Sequence, residues 1–292
     1  MLADTGHSVA EPIGDSRIYV VRNTDLEELL FDRNLTGVDF RRTCLRCSRH
    51  FIAHVVDELA PDDTAELMIL SKGLVYQLGE AMAAEAGRNL PTNMIATARA
   101  AVTQDAAHIE VPYVRFEAPA DTLIIGDTVA SGATIIAAVR RYLDTHPLRR
   151  LYVISFAGTH LGASRIAEFC SERDVQTTFL YGLAAFGLGD NGFDLSFLHP
   201  DTITESVYVD HARRQFEGRA VSAVGWDFGS QSMAPRKYRH LGWIESEVWA
   251  LGDAKCFAFA EEPDDWSTLA HERAAYERVF RGPGKDVPPL TG

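Results

Sequence analysis

The chain has 292 residues, 46% of them hydrophobic and 24% charged, and a formal net charge of −13. That length can bury one large core, or one core with a smaller unit attached, and the acidic balance argues against nucleic acid, which is held by clustered Lys and Arg. No stretch reaches the roughly 20 apolar residues of a membrane span, and four cysteines in a chain this long make no disulfide framework, so a cytoplasmic setting is expected.

The opening Met-Leu-Ala-Asp-Thr-Gly-His has no basic cluster ahead of an apolar stretch, so no export is expected. Residues 1–16 mix Gly, Pro, Ser, Asp and Glu without periodicity and read as a loose tail, as do residues 281–292. Phe51, Ile52, Val55, Val56 and Leu59 recur at helical spacing, which predicts a helix from near Phe40 to the break at Pro61. Cys44 and Cys47 fall on that helix as a single CxxC pair. With no second pair and no preceding strand, they read as free thiols rather than a zinc or redox motif.

Further on, 67–70 reads as a buried strand, 74–86 as a helix closed by Gly87, and 93–98 as another strand. The alternation then repeats: strand 123–125, helix 134–143, strand 151–156, helix 162–170, strand 175–180. Continuously apolar strands alternating with helices predict an α/β fold, a parallel sheet with helices on both faces. Ligands of such sheets sit beyond the carboxyl ends of the strands, which directs attention to the loops after Leu70, Ile125 and Leu180.

Past residue 206 the texture changes. Trp226, Trp243, Trp249 and Trp266 all fall there, with the basic run Arg236-Lys237-Tyr238-Arg239-His240. This predicts a smaller α+β extension or lid over 206–280, appended to a main domain over 17–205. The tryptophans read first as its small core, and the basic run as a solvated face.

The segment from Leu123 to Thr134 runs from a buried strand into a helix start. Small residues at 130–133 let successive amides converge, the hydroxyls of Ser131 and Thr134 add donors, and the helix presents its positive end. Such a nest, formed by Thr128, Val129, Ala130, Ser131, Gly132, Ala133 and Thr134, suits a phosphate monoester, and Asp127 ahead of it is placed to accept hydrogen bonds from ribose hydroxyls. A Walker A loop is excluded, because no Gly-Lys-Ser/Thr follows.

This segment resembles the phosphoribosyl pyrophosphate signature of type I phosphoribosyltransferases. Three further stretches resemble the uracil branch of that family: Asp39-Phe40-Arg41-Arg42 its N-terminal helix, Ile69-Leu70-Ser71-Lys72-Gly73-Leu74 its pyrophosphate loop, and Phe186-Gly187-Leu188-Gly189-Asp190-Asn191-Gly192 its late base loop. The departures are specific. Gly126 replaces the first acid of the ribose motif, Ser71-Lys72 replaces the pyrophosphate-loop arginine, Phe186 replaces a proline, and Phe193 stands where the family has an Asp, with Asp194 one place later.

The resemblance implies transfer of a phosphoribosyl group to a uracil-like heterocycle with release of pyrophosphate, by a homo-oligomer with no membrane or nucleic-acid partner. It implies Asp127, Lys72, Arg99 and Asp190 as catalytic residues, Ser71, Lys72 and Gly73 against pyrophosphate, and Phe186, Gly187, Leu188, Gly189 and Asp190 against the base. Magnesium is the expected cofactor, held mainly by substrate, with Asp127 or Asp194 as candidate protein ligands. The competing reading, prompted by Gly126 and Lys72, is a nucleotide- or phosphoribosyl pyrophosphate-binding regulatory module without catalysis. Gly187 to Gly192 also fits GxGxxG, but a dinucleotide fingerprint must open a helix, and none is expected there.

Overall fold

The computed structural model describes residues 7–13, 16–32, 35–99, 109–190, 192, 194–216, 218 and 221–223. The four tryptophans, the basic run 236–240, Cys256, Asn191, Phe193 and the tail 281–292 lie outside them.

In chain order the elements begin with β1 (His7–Ile13), β2 (Ser16–Val21), α1 (Thr24–Phe31), α2 (Gly37–Val55), β3 (Thr64–Leu70), α3 (Gly73–Tyr76), α4 (Leu78–Ala86), β4 (Thr92–Arg99) and β5 (Ile109–Arg115). There follow β6 (Thr122–Gly126), α5 (Ala133–Leu143), β7 (Arg150–Ser155), β8 (Gly158–Thr159), α6 (His160–Ser171), β9 (Gln176–Gly182), β10 (Ala184–Phe186), β11 (Ile203–Thr204) and α7 (Ser206–Gln215). Eight strands form one sheet in the order β1-β2-β9-β7-β6-β3-β4-β5, parallel throughout its centre and antiparallel at the two outer pairs.

The expected α/β architecture is present. Along β6, β7 and β9 successive side chains go to opposite faces, as the two-residue period of a strand requires. Ile124, Tyr152, Ile154 and Leu180 join the core beneath α1, α2, α3, α4 and α7, whereas Leu123, Ile125, Leu151, Val153 and Phe179 join the core beneath α5 and α6. Both faces are thus covered, which is why these strands read as continuous apolar runs.

Three local expectations need correction. The segment read as an N-terminal tail contains β1, which pairs antiparallel with β2. The helix expected over 74–86 is broken, because Gln77 takes a left-handed conformation (φ 50°) between α3 and α4. β5 was not anticipated: Pro112 and its half-exposed, alternating pattern hide an edge strand.

Cys44 and Cys47 are free thiols on the buried face of α2, and burial pushes both thiols up from their ordinary pKa. The α2 helix is tied to α1 by Arg46, which bridges Asp25 (2.6 Å) and Glu28 (2.7 Å). The first turns beyond residue 206 pack into the main body: Phe31 stacks on Phe197 (4.6 Å) and His211 (4.2 Å), and Gln215 Nε2 donates to the Phe31 carbonyl (2.8 Å). Tyr208, Ala212 and Phe216 share the core of α1 and α2. No helix among the described residues is long and apolar enough to cross a membrane.

Candidate functional site

Strands β3, β6, β7 and β9 run parallel, so the loops after Leu70, Gly126, Ser155 and Gly182 leave one edge of the sheet. The loop after β6 is held on its inner side by the segment that follows β7. Asp127 N–H donates to the Ile154 carbonyl (3.1 Å), and Val129 N–H to the Ala157 carbonyl (3.3 Å) and to Ser155 Oγ (3.3 Å). The Val129 carbonyl accepts Thr159 N–H (2.8 Å), and the Ala130 carbonyl accepts the Thr159 hydroxyl.

Those last two bonds orient the loop. In a planar trans peptide the C=O of one residue and the N–H of the next point in opposite directions. With the carbonyls of Val129 and Ala130 aimed at Thr159, the amides of Ala130 and Ser131 face away from it. The turn into α5 is made by Gly132 at φ +79°, where a Cβ would lie 2.8 Å from the Gly162 carbonyl oxygen. The first intrahelical bond of α5 is Ile136 N–H to Gly132 (3.0 Å), so Ala133, Thr134 and Ile135 start the helix with N–H groups that no helical carbonyl can accept. Backbone amides and a helix start of positive potential therefore border the half-exposed Ser131 and Thr134, an arrangement able to hold a dianion.

Asp127 is 5% exposed, and its Oδ1 accepts Thr128 N–H (2.8 Å). A carboxylate has further acceptor capacity beyond one such bond. Beside it, a Cβ on Gly126 would lie 2.6 Å from Cβ and Cγ of Tyr76, which the final turn of α3 brings over the end of β6.

The loop after β3 emerges next to this one, since β3 and β6 are neighbours. Ser71 and Lys72 are exposed, whereas Gly73 is buried and opens α3, its Cβ position 3.0 Å from Met68 Cγ. Leu74 N–H bonds the Ser71 carbonyl (3.2 Å) and Val75 N–H the Lys72 carbonyl (3.0 Å), so this loop and α3 form one short unit. Arg99 ends β4 opposite Ile109 of β5; its side chain lies outside the described residues, as do residues 100–108.

A second sheet, β11-β10-β8, carries the late glycine-rich loop toward the nest. Strand β8 bridges Val129 at Gly158 and pairs with β10, placing Thr159 opposite Phe186. The turn beyond β10 closes through backbone bonds: Gly189 N–H to the Asp194 carbonyl (2.8 Å) and Gly192 N–H to Gly189 (2.9 Å), while Gly187 N–H meets Thr202 Oγ1 (2.9 Å). A Cβ on Gly187 would overlap the imidazole of His199, which would have to shift to admit a side chain there.

Among the residues assigned to the base, Leu188 and Gly189 are half-buried and Asp190 is exposed. The Phe186 ring is wholly buried against Phe197 (4.9 Å), so its side chain packs the core while its backbone adjoins the loop. No helix opens at Gly187-Leu188-Gly189; the next described helix is α7, which removes the dinucleotide reading.

Sequence reasoning missed Thr159, Ser155, Tyr76 and Gly162, which shape the nest without belonging to its motif. Thr159 carried a signal, since it caps α6 by accepting Gly162 N–H (2.8 Å). For magnesium, the described residues contain no group of three or more His, Cys, Asp or Glu that could hold an ion. Asp127 and Asp194 are both buried (5% and 4% exposed), and Asp127 directly precedes the nest residues in sequence. This donor set fits an ion whose ligands are mostly water and substrate oxygens, the usual habit of magnesium.

No family model and no curated protein matches the chain. Solved structures do. A protein from Aquifex aeolicus is similar at 15% identity and TM-score 0.46, covering 60% of this chain and 95% of its own. Adenine phosphoribosyltransferase from Trypanosoma brucei is similar at 15% identity and TM-score 0.41, over 70% of this chain and 99% of its own. Hypoxanthine phosphoribosyltransferase from Staphylococcus aureus is similar at 7% identity and TM-score 0.35, over 55% of this chain and 82% of its own.

Proposed function

We propose that the chain transfers a phosphoribosyl group from phosphoribosyl pyrophosphate to a nucleobase-like heterocycle and releases pyrophosphate. The observation that carries this reading is the nest after β6, whose amides at Ala130 and Ser131 turn away from Thr159 beside the open N–H groups of α5, with Asp127 at its head. The uracil-like acceptor is part of the proposal and rests on the Gly187-Leu188-Gly189-Asp190 loop.

In the reaction a ring nitrogen of the base forms a bond to the anomeric carbon as the bond to pyrophosphate breaks, and the nitrogen's proton passes to solvent. The transition state is oxocarbenium-like, so the protein's work is alignment and charge stabilisation. Residues 130–134 hold the 5-phosphate, Asp127 accepts from the ribose hydroxyls, and Lys72 with the backbone of Ser71 and Gly73 faces pyrophosphate. Arg99, at the end of β4, is taken as a second cation for pyrophosphate, and Asp190 with the backbone of residues 187–189 meets the base. Magnesium, when bound with substrate, neutralises part of the pyrophosphate charge.

The second reading, a regulatory module that binds the same ligand without transfer, is motivated by Gly126 and Lys72, which stand where the resembled motifs carry an acid and an arginine. The experiment is pyrophosphate release by the full chain with phosphoribosyl pyrophosphate, magnesium and a panel of pyrimidines and purines, alongside thermal stabilisation by ribose 5-phosphate. Release with one base supports transfer. Stabilisation without release favours the regulatory module, and neither effect removes both readings.

A further inference from the structure

Tyr76 is fully buried and ends the short unit that starts at Ser71. Its ring stacks on Phe156 (centroids 4.1 Å apart, 8° between planes) and covers the end of β6, where Gly126 leaves room for it. The acid of the resembled motif could not stand at position 126 while this ring is in place, so the departure has a steric reason. The phenol oxygen accepts Phe156 N–H (3.3 Å) and meets the hydroxyls of Thr128 and Ser155. Ser155 in turn accepts Val129 N–H (3.3 Å) and donates to the Ala157 carbonyl (2.7 Å). One side chain from the Lys72 side therefore touches the strand end, the loop residue Thr128 and, through Ser155, the amide of Val129.

We propose that Tyr76 is a positioning residue that couples the two substrate loops, residues 71–73 and 127–132, so that filling one favours filling the other. This rests on the phosphoribosyl reading above. The physical basis is that both loops are bonded to a single rigid, buried group. A shift of the Ser71 and Lys72 carbonyls moves α3, and α3 moves the phenol against Thr128 and Ser155. The phenol is held neutral by burial, reinforced by the nearby Asp127 carboxylate, so it stays a donor as well as an acceptor.

The test measures pyrophosphate binding to the full chain by calorimetry with magnesium, without and with saturating ribose 5-phosphate. Coupling predicts that ribose 5-phosphate tightens pyrophosphate binding about fivefold or more, and by linkage the reverse. Tyr76→Phe keeps the stacked ring and removes the phenol; its melting temperature should stay near the parent's while the affinity ratio falls toward one. Ser155→Ala removes the link to Val129 with Tyr76 in place and should lower the ratio in the same direction. Tyr76→Leu with Gly126→Ala, which refills the space, should regain packing but not coupling. The proposal is overturned if the parent binds both ligands independently, or if either single variant keeps the full ratio. A parent that binds neither ligand overturns the phosphoribosyl reading itself.

Discussion

Gly162 lies directly beneath the Ala130 carbonyl: a Cβ at position 162 would come within 2.4 Å of that oxygen and 2.6 Å of Val129 Cγ1. The first turn of α6 is thereby the floor of the nest. Gly162→Ala should push the loop outward or shift α6, costing about 1 to 3 kcal/mol of stability, as overpacking does. It should also weaken ribose 5-phosphate binding, because the carbonyls of Val129 and Ala130 lose their register with Thr159. Urea unfolding and a ligand titration check this together, and an alanine variant with parental stability and affinity would show that the floor is soft.

Asp127→Asn keeps an oxygen for Thr128 N–H but removes the charge that strengthens acceptance from ribose hydroxyls. Ribose 5-phosphate should then stabilise the protein less, corresponding to a loss of about tenfold in affinity. Gly132→Val should abolish the ligand-induced shift, since a side chain at φ +79° and 2.8 Å from the Gly162 oxygen cannot coexist with the turn. Thermal melts with and without ligand are the measurement. Parental shifts in both variants would dissociate the loop from phosphate binding.

Lys72 is exposed and therefore screened in the free protein. Lys72→Ala should leave the melting temperature unchanged and raise the KM for phosphoribosyl pyrophosphate about tenfold, corresponding to about 1.4 kcal/mol for one lost charge-assisted contact. Initial rates below saturation distinguish the outcomes, and a parental rate would remove Lys72 from the pyrophosphate side.

Glu66 on β3 is 1% exposed, and its Oε1 has no hydrogen-bond partner among the described residues. Burial raises its carboxyl from 4.5 to about 7, against a smaller opposing effect of the Thr92 hydroxyl, with Glu80 adding to the rise. A carboxyl raised on folding holds its proton in the native state over a range where the unfolded chain has released it. Stability therefore falls as pH rises from 4.5 to about 7 and stays reduced above. Glu66→Gln removes this dependence and should exceed the parent by on the order of 2 to 3 kcal/mol at pH near 8, the gap closing at pH near 4. Urea unfolding at both pH values tests it; a gap of equal size at both would refute the buried acid as its source.

The helical stripe of α2, the apolar runs of β3, β6, β7 and β9, and the small-residue turn into α5 were readable because each is written in neighbouring residues. Their periods, 3.6 and 2, or their unbroken apolarity, report burial directly. The position of the nest at the strand ends followed from the alternation alone. Edge elements were less legible. Pro12 in β1 and Pro112 in β5 are tolerated there because an outer strand leaves N–H groups unpaired on one side, yet in a sequence they read as breaks.

By itself, then, the sequence determined a parallel sheet covered on both faces and a small-residue turn from the strand ending at Gly126 into the next helix, since those depend on local patterning and on Gly, Ser and Thr at close spacing. What only the tertiary structure decided is which groups surround that loop. Tyr76 reaches Gly126 from fifty positions away, Thr159 turns the carbonyls of Val129 and Ala130, and Phe186 faces the core although it borders a glycine-rich loop. Each of these is a contact between chain-distant residues, set by strand order and close packing, and no local period encodes it.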